Sequence, residues 1–273
     1  RKRWSPGPWN PLQRNENMGI GPSIEKFVRR RLPSVYNPLL VVYQRLFDSD
    51  TFRLRRTLGR QISELGTETS EIFFVQVGSN DGFSNDPFCD WVIRSNTHAY
   101  FFEPVPSCFS RLVANYMSRV STSNQSRLHF FNEAVTEEES DLVFFSVSDE
   151  AQSELGPRLP YWWDQLGSFD RFHITKHLDG MLEPFIVETQ VKTVSLAGFI
   201  EREGLQRIDV LHIDAEGHDF KVLSSLDFDR IKPRIILIEH KHLSESDRQS
   251  LFELLGRWGY RVRQFQSDLL ATA

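Results

Sequence analysis

The chain has 273 residues, 40% of them apolar and 25% charged, with a net charge of −5, which is ordinary for a globular protein and long enough for a full core without staples. Two cysteines, Cys89 and Cys108, lack CxxC spacing; they exclude a disulfide framework and are expected as buried, reduced thiols. Leu39 to Tyr43, the longest apolar stretch near the start, falls far short of the ~18 residues that suggest a membrane span, no signal-peptide pattern is visible, and a cytoplasmic location is the expectation.

The charge is unevenly spread. Residues 1–65 hold 13 Lys and Arg against 5 Asp and Glu, whereas the remainder holds 19 against 32. A basic segment of that kind meets a polyanion or packs on its own acidic body, and the second reading is preferred because its arginines alternate with core-type residues. With an acidic body, nucleic acid is not an expected substrate.

Residues 1–22, rich in Pro, Gly and Asn, are expected as an irregular arm. Ile24, Phe27, Val28 and Leu32 recur at helical steps until Pro33 and Pro38 break the run, and a second helical stretch follows over 39–65 with Gly59 as its weak point. These 65 residues are read as a basic arm and helical cap, with a second unit over 66–273.

From there short apolar runs alternate with helical stretches. Strands are expected over 72–77, 99–103, 128–135, 142–147, 185–194, 208–214, 234–240 and 260–265, and helices over 106–118, 195–203, 218–226 and 244–258. Nearly all-apolar strands followed by helices predict an α/β fold, a largely parallel sheet covered on both faces. Residues 148–184 break the pattern with Tyr161, Trp162, Trp163 and Phe169. That insertion is expected as a lid or substrate wall whose aromatic residues either stack on an acceptor or form its own small core.

In such sheets ligands sit beyond the carboxyl ends of the strands. The first strand runs into Gly78-Ser79-Asn80-Asp81-Gly82, where glycine allows positive φ and close backbone approach. This is neither GxGxxG nor a P-loop, and alone it is as readily a tight turn. Glu103 closes the second strand 21 residues after Gly82, where an acid can take both hydroxyls of a ribose; together they point to a nucleoside-containing ligand. The third strand ends in Asn132-Glu133-Ala134-Val135, with Ala134 small enough to admit a flat ring beside it. The next ends carry Asp214, Glu216, His218 and Asp219, then Glu239, His240 and His242. One such cluster is a helix cap; polar clusters at consecutive strand ends suit a catalytic crevice.

With those residues in view, the sequence resembles the FkbM family of S-adenosylmethionine-dependent methyltransferases. The matching segments are "VQVGSNDGFSNDPF", "FFEPVPSCFSRLVANY", "NEAV", "LGSFDRFHITKH", "IDVLHIDAEGHDFKVL" and "PRIILIEHKHLS", with "GYRVRQFQSDLLAT" like the family's closing strand. The resemblance implies a Rossmann-like class I methyltransferase sheet and S-adenosyl-L-methionine as cofactor, which has no phosphate to hold. It implies that Gly78, Asn80, Asp81 and Gly82 surround the donor's methionine part, that Glu103 with Pro104 holds the ribose, that Glu133 and Ala134 flank the adenine, and that Asp214 lies near the sulfonium. It departs at "TVSLAGF", where the family often has an acid near Ala197, which puts substrate contacts in doubt.

The expected reaction is O-methylation of a small-molecule or glycan hydroxyl. His218 is the expected base, with Glu216 and His240 as competitors, because an imidazole titrates near neutrality. An inactive methyltransferase-like binding protein is the alternative, and an NAD enzyme is disfavoured by the missing GxGxxG. His173 and His177, four apart, suit two metal ligands on one helix face, and Asp214 and Glu216 suit Mg2+ or Ca2+. A divalent metal is thus compatible with the sequence but not expected, and no metal ligand is assigned. Neither the acceptor nor the oligomeric state is legible.

Overall fold

A computed structural model describes residues 49–69 and 71–273. The arm at 1–22, the helical run around Ile24 to Leu32 and the start of the second helical stretch lie outside the described residues. In chain order the elements are α1 (Ser49–Glu68), β1 (Phe73–Val77), α2 (Cys89–Arg94), β2 (His98–Phe102), α3 (Pro106–Met117), β3 (Leu128–Phe131), β4 (Ala134–Val135) and β5 (Asp141–Val147). They continue as α4 (Glu150–Leu155), α5 (Arg171–Thr175), β6 (Ile186–Val194), α6 (Leu196–Glu203), β7 (Val210–Ile213), α7 (Asp219–Ser224), β8 (Ile235–Glu239), α8 (Glu245–Arg257), β9 (Arg261–Gln264) and β10 (Asp268–Thr272). No described helix is long and apolar enough to cross a membrane.

The main sheet has the order β3-β2-β1-β7-β8-β10-β9. β3, β2, β1, β7 and β8 pair in parallel, and β10 runs antiparallel to both β8 and β9. The order reverses between β1 and β7, the position beyond whose carboxyl ends open α/β sheets bind ligands.

Strand alternation explains the two covered faces. Val75, Val77, Tyr100, Phe102, Leu211, Ile213, Ile236 and Ile238 pack on one side with α6, α7 and α8 through Phe199, Val222 and Leu251. Phe74, Ala99, Phe101, Val210, Ile235 and Leu237 pack on the other with α1, α2 and α3 through Leu58, Val92 and Leu112. Helix α1 runs through Gly59 and buries Leu54, Leu58, Ile62 and Leu65, an i, i+4, i+8, i+11 stripe. Cys89 and Cys108 are both free and buried.

A second, three-stranded sheet has the order β4-β6-β5. The run expected as one strand over 128–135 is divided between the sheets. Asn132 and Glu133 interrupt it, and Asn132 Nδ2 donates to the carbonyls of Glu103 and Pro104. β5 and β6 form an antiparallel pair outside the main sheet, because an apolar run encodes burial and not its partner. Three elements went unforeseen: α2 and α4, each of six residues and too short to show a period, and β10, which returns from β9 through a tight turn closed by Phe265 N donating to Asp268 O.

The segment between β5 and β6 folds on a core of its own. Ala151, Leu155, Leu159, Trp163, Leu166, Ile174, Leu182 and Phe185 are buried together. Trp163 belongs to that core, and Phe169 stands edge-on to Phe144. Arg111 of α3 ties the segment down, reaching Asp164 at 2.9 Å and Asp149 at 3.7 Å.

The junction between β1 and β7 is the tightest point near the crevice. Gly78 has φ +76°, and a Cβ built there would stand 1.8 Å from the backbone oxygen of Asp214. Gly78→Ala is therefore expected to destabilise the protein by about 3–4 kcal/mol, read as a lower urea midpoint with an unchanged slope.

Candidate functional site

The β1 loop is held by backbone and side chain together. The amides of Gly78 and Ser79 donate to Phe102 O at 3.1 and 2.9 Å, and Gly82 N to Ser79 O. Asn80 has φ +45°; its backbone N–H donates to Glu103 Oε2 at 2.8 Å, while its own Oδ1 is buried with no hydrogen-bond partner among the described residues. Asp81 accepts from the amides of Phe83 and Ser84 and from Ser84 Oγ, so its carboxylate shapes the turn. Both glycines meet the chain's own atoms: Gly78 the Asp214 carbonyl, and Gly82 the side chains of Leu112 and Tyr116. Their small size is used against protein neighbours.

Glu103 is 5% exposed at the end of β2. Its Oε1 accepts from Val105 N at 2.8 Å as Oε2 does from Asn80. Burial nevertheless raises its carboxyl to about 7, against the pull of those two amides and of Arg111. Pro104 follows, its carbonyl bonded to Asn132. Glu133 makes a two-pronged pair with Arg202 at 3.0 and 2.8 Å, and the Arg202 guanidinium lies 5.2 Å over the Phe131 ring. Ala134 is buried in β4 against Phe144 and Val191. An open groove of about 480 Å³ runs past Pro104, Phe131, Asn132 and Glu133.

Beyond β7 and β8 the acids crowd. Oxygens of Asp214, Asp219 and Glu239 lie within 4.8 Å of one another. Asp219 is fully buried and accepts from Ala215 N at 2.8 Å and Gly217 N at 3.0 Å, shaping the turn after β7. Burial raises Asp219 to about 7 and Asp268 to about 6. Glu239 is pushed up to about 11, by burial first and then by Asp214 and Glu216. Asp214 is raised in the same way, by burial and by the charges of Glu216, Asp219 and Asp268. Among the described residues no Lys or Arg forms an ion pair with Asp214 or Glu239. Like charges this close resist joint ionisation until a cation arrives.

The three candidate bases occupy different surroundings. His218 flanks the start of α7 with its ring 4.9 Å from Phe169, and burial followed by Lys221 lowers its pKa. Glu216, at φ +49°, points its Oε2 toward His173 and His242, 3.0 and 3.6 Å away. His240 is buried with Nε2 3.1 Å from Phe265 O, engaged with the β9–β10 turn. Sequence reasoning named Asp219, Glu239 and His242 without assigning them a role, and it paired His173 with His177. The convergence of His173 and His242 on Glu216 spans about 70 residues of chain and leaves no local signature.

The family profile described as Methyltransferase FkbM domain matches residues 76–262. No curated protein matches the chain by sequence. Among solved structures, methyltransferase FkbM from Methylobacillus flagellatus KT is 12% identical, with a TM-score of 0.48 over 75% of this chain and 44% of its own. The chain thus spans less than half the length of that protein. A precorrin-6y C5,15-methyltransferase from Geobacter metallireducens GS-15 is 11% identical, with a TM-score of 0.38 over 79% of this chain and 86% of its own. A SAM-dependent methyltransferase from Geobacter sulfurreducens, in complex with S-adenosyl-L-homocysteine, is 13% identical, with a TM-score of 0.36 over 77% and 64%.

The turn after β7 depends on a single carboxylate. Asp219→Ala leaves the amides of Ala215 and Gly217 without their acceptor and is expected to cost about 2–4 kcal/mol of stability, measurable by urea denaturation.

Proposed function

The chain belongs to the FkbM methyltransferase family, and from that premise we propose that it transfers a methyl group from S-adenosylmethionine to a hydroxyl of a small molecule or glycan. The observation that carries this reading is Glu103, a buried carboxylate at the end of β2 bonded to the glycine-rich loop. Each of its oxygens takes one backbone N–H, which leaves a second lone pair on each for a ribose hydroxyl. The unpartnered Asn80 Oδ1 beside it and the acids around Asp214 suit the donor's hydroxyl, ammonium and sulfonium groups. Glu133, Ala134 and the groove past Phe131 and Asn132 would border the adenine.

When bound, the donor supplies an electrophilic methyl carbon on a cationic sulfur. The protein's share is alignment and exclusion of water. His218, its pKa lowered by burial, would accept the acceptor's hydroxyl proton on a ring nitrogen as the methyl group is transferred. Glu216, held toward two histidines, and His240, engaged with Phe265, are less free to do so. The segment between β5 and β6, which brings Phe169 against His218, would wall the acceptor site.

Titration calorimetry with S-adenosylmethionine tests the donor site. Micromolar binding is expected in the wild type, and its loss in folded Glu103→Ala; no binding by the folded wild type would overturn the reading. The pH dependence has a defined sign. A carboxyl raised to about 7 in the fold holds its proton from roughly pH 4.5 to 7, so its contribution to the free protein's stability is present at low pH and lost as pH rises through 7. Hydrogen bonds from a ribose need the ionised form. Donor affinity is therefore expected to be roughly tenfold weaker at pH 6 than at pH 8 through Glu103 alone, read as the difference between wild type and Glu103→Gln.

A further inference from the structure

Three side chains from distant parts of the chain converge beside the crevice. His173 comes from α5, Glu216 from the turn after β7, and His242 from just beyond β8. One donor atom of each lies within 4.8 Å of the others. His173 Nε2 stands 3.0 Å and His242 Nε2 3.6 Å from the same Glu216 Oε2. His173 is 3% exposed, yet its Nε2 and the facing Glu216 Oε2 are buried without a well-formed hydrogen bond among the described residues. The two atoms stand at ion-pair distance, an attraction that is full only when His173 is protonated, and a metal ion would satisfy both without that proton.

We propose that His173, Glu216 and His242 form a binding site for a divalent transition-metal ion of the zinc class. In a tetrahedral shell, metal–donor bonds of about 2.0–2.2 Å put neighbouring donors about 3.3–3.6 Å apart; the separation at His242 matches that range and the one at His173 is slightly shorter. Two imidazoles and a carboxylate favour zinc-class ions over the all-oxygen shell that Mg2+ or Ca2+ takes. Glu239, whose Oε1 is 3.9 Å from His242 Nε2, is in reach as a further ligand. So is His177, whose Nε2 is also buried and unpartnered and whose ring lies 5.4 Å from that of His173. Metal on His173 Nε2 puts the ring proton on Nδ1, so Lys176 Nζ, now 3.1 Å from Nδ1, must swing away; Lys176 is exposed and can do so. The ion would pin α5 to the strand ends and leave a coordination position for an oxygen of the acceptor. Binding of the ion does not depend on the methyl-transfer reading.

The test uses the full chain, stripped with a chelator and titrated with Co(II) as a spectroscopic probe, then with Zn(II) in competition. The expected result is visible d–d absorption saturating at about one ion per chain and displaced by Zn(II). Hydrogen exchange should slow in 171–177 and 214–218 on loading. Affinity should fall in Glu216→Gln and His242→Ala by more than the roughly 10–100-fold that loss of an outer-shell partner costs, and stay unchanged in His98→Ala. Absence of Co(II) uptake by the stripped wild type would overturn the proposal even if the variants fail to fold. So would full affinity in a folded His173→Ala/His242→Ala variant.

Discussion

Everything at the crevice follows from carboxylates gathered at the ends of parallel strands. Asp214, Asp219, Glu239 and Asp268 are all raised by burial, and the first three stand close enough to repel one another. Such a group is stable only with protons retained or a cation present. Asp219 resolves its share internally, through the amides of Ala215 and Gly217. Among the described residues Asp214 and Glu239 show no such backbone amides, Glu239 facing only His242 at 3.9 Å, and their electrostatics favour a positively charged ligand. A cationic ligand, such as the proposed sulfonium-bearing donor, would meet that requirement.

The fold supplies this crowding by pressing β1 and β7 together. Gly78 lets the β1 loop lie on the Asp214 carbonyl, and the same loop reaches across to Glu103 through Asn80. Three strand ends thereby become one connected unit. The segment between β5 and β6 packs beside this unit, with its own core, an Arg111 tether to α3 and Phe169 against His218.

Much of this architecture was legible. The apolar texture of β1, β7 and β8 reports burial on both faces, and the polar residues after each strand mark the crevice. What the sequence left open is long-range. β4, β5 and β6 read as ordinary members of the series, but pair among themselves, because periodicity says nothing about partners. The glycines read as allowing positive φ and close backbone approach, in a tight turn or around a ligand; in the fold Gly78 and Gly82 lie against Asp214, Leu112 and Tyr116. His240 and His242 are equivalent in the sequence, yet one bonds to Phe265 and the other faces Glu216. That distinction depends on where α5 lands.

The most direct measurement is a crystal structure of the chain soaked with S-adenosylhomocysteine. The account predicts both ribose hydroxyls on the Glu103 carboxylate and the amino-acid end of the ligand between Asn80 and Asp214. Ligand bound elsewhere, with Glu103 still bonded only to the amides of Asn80 and Val105, would contradict it.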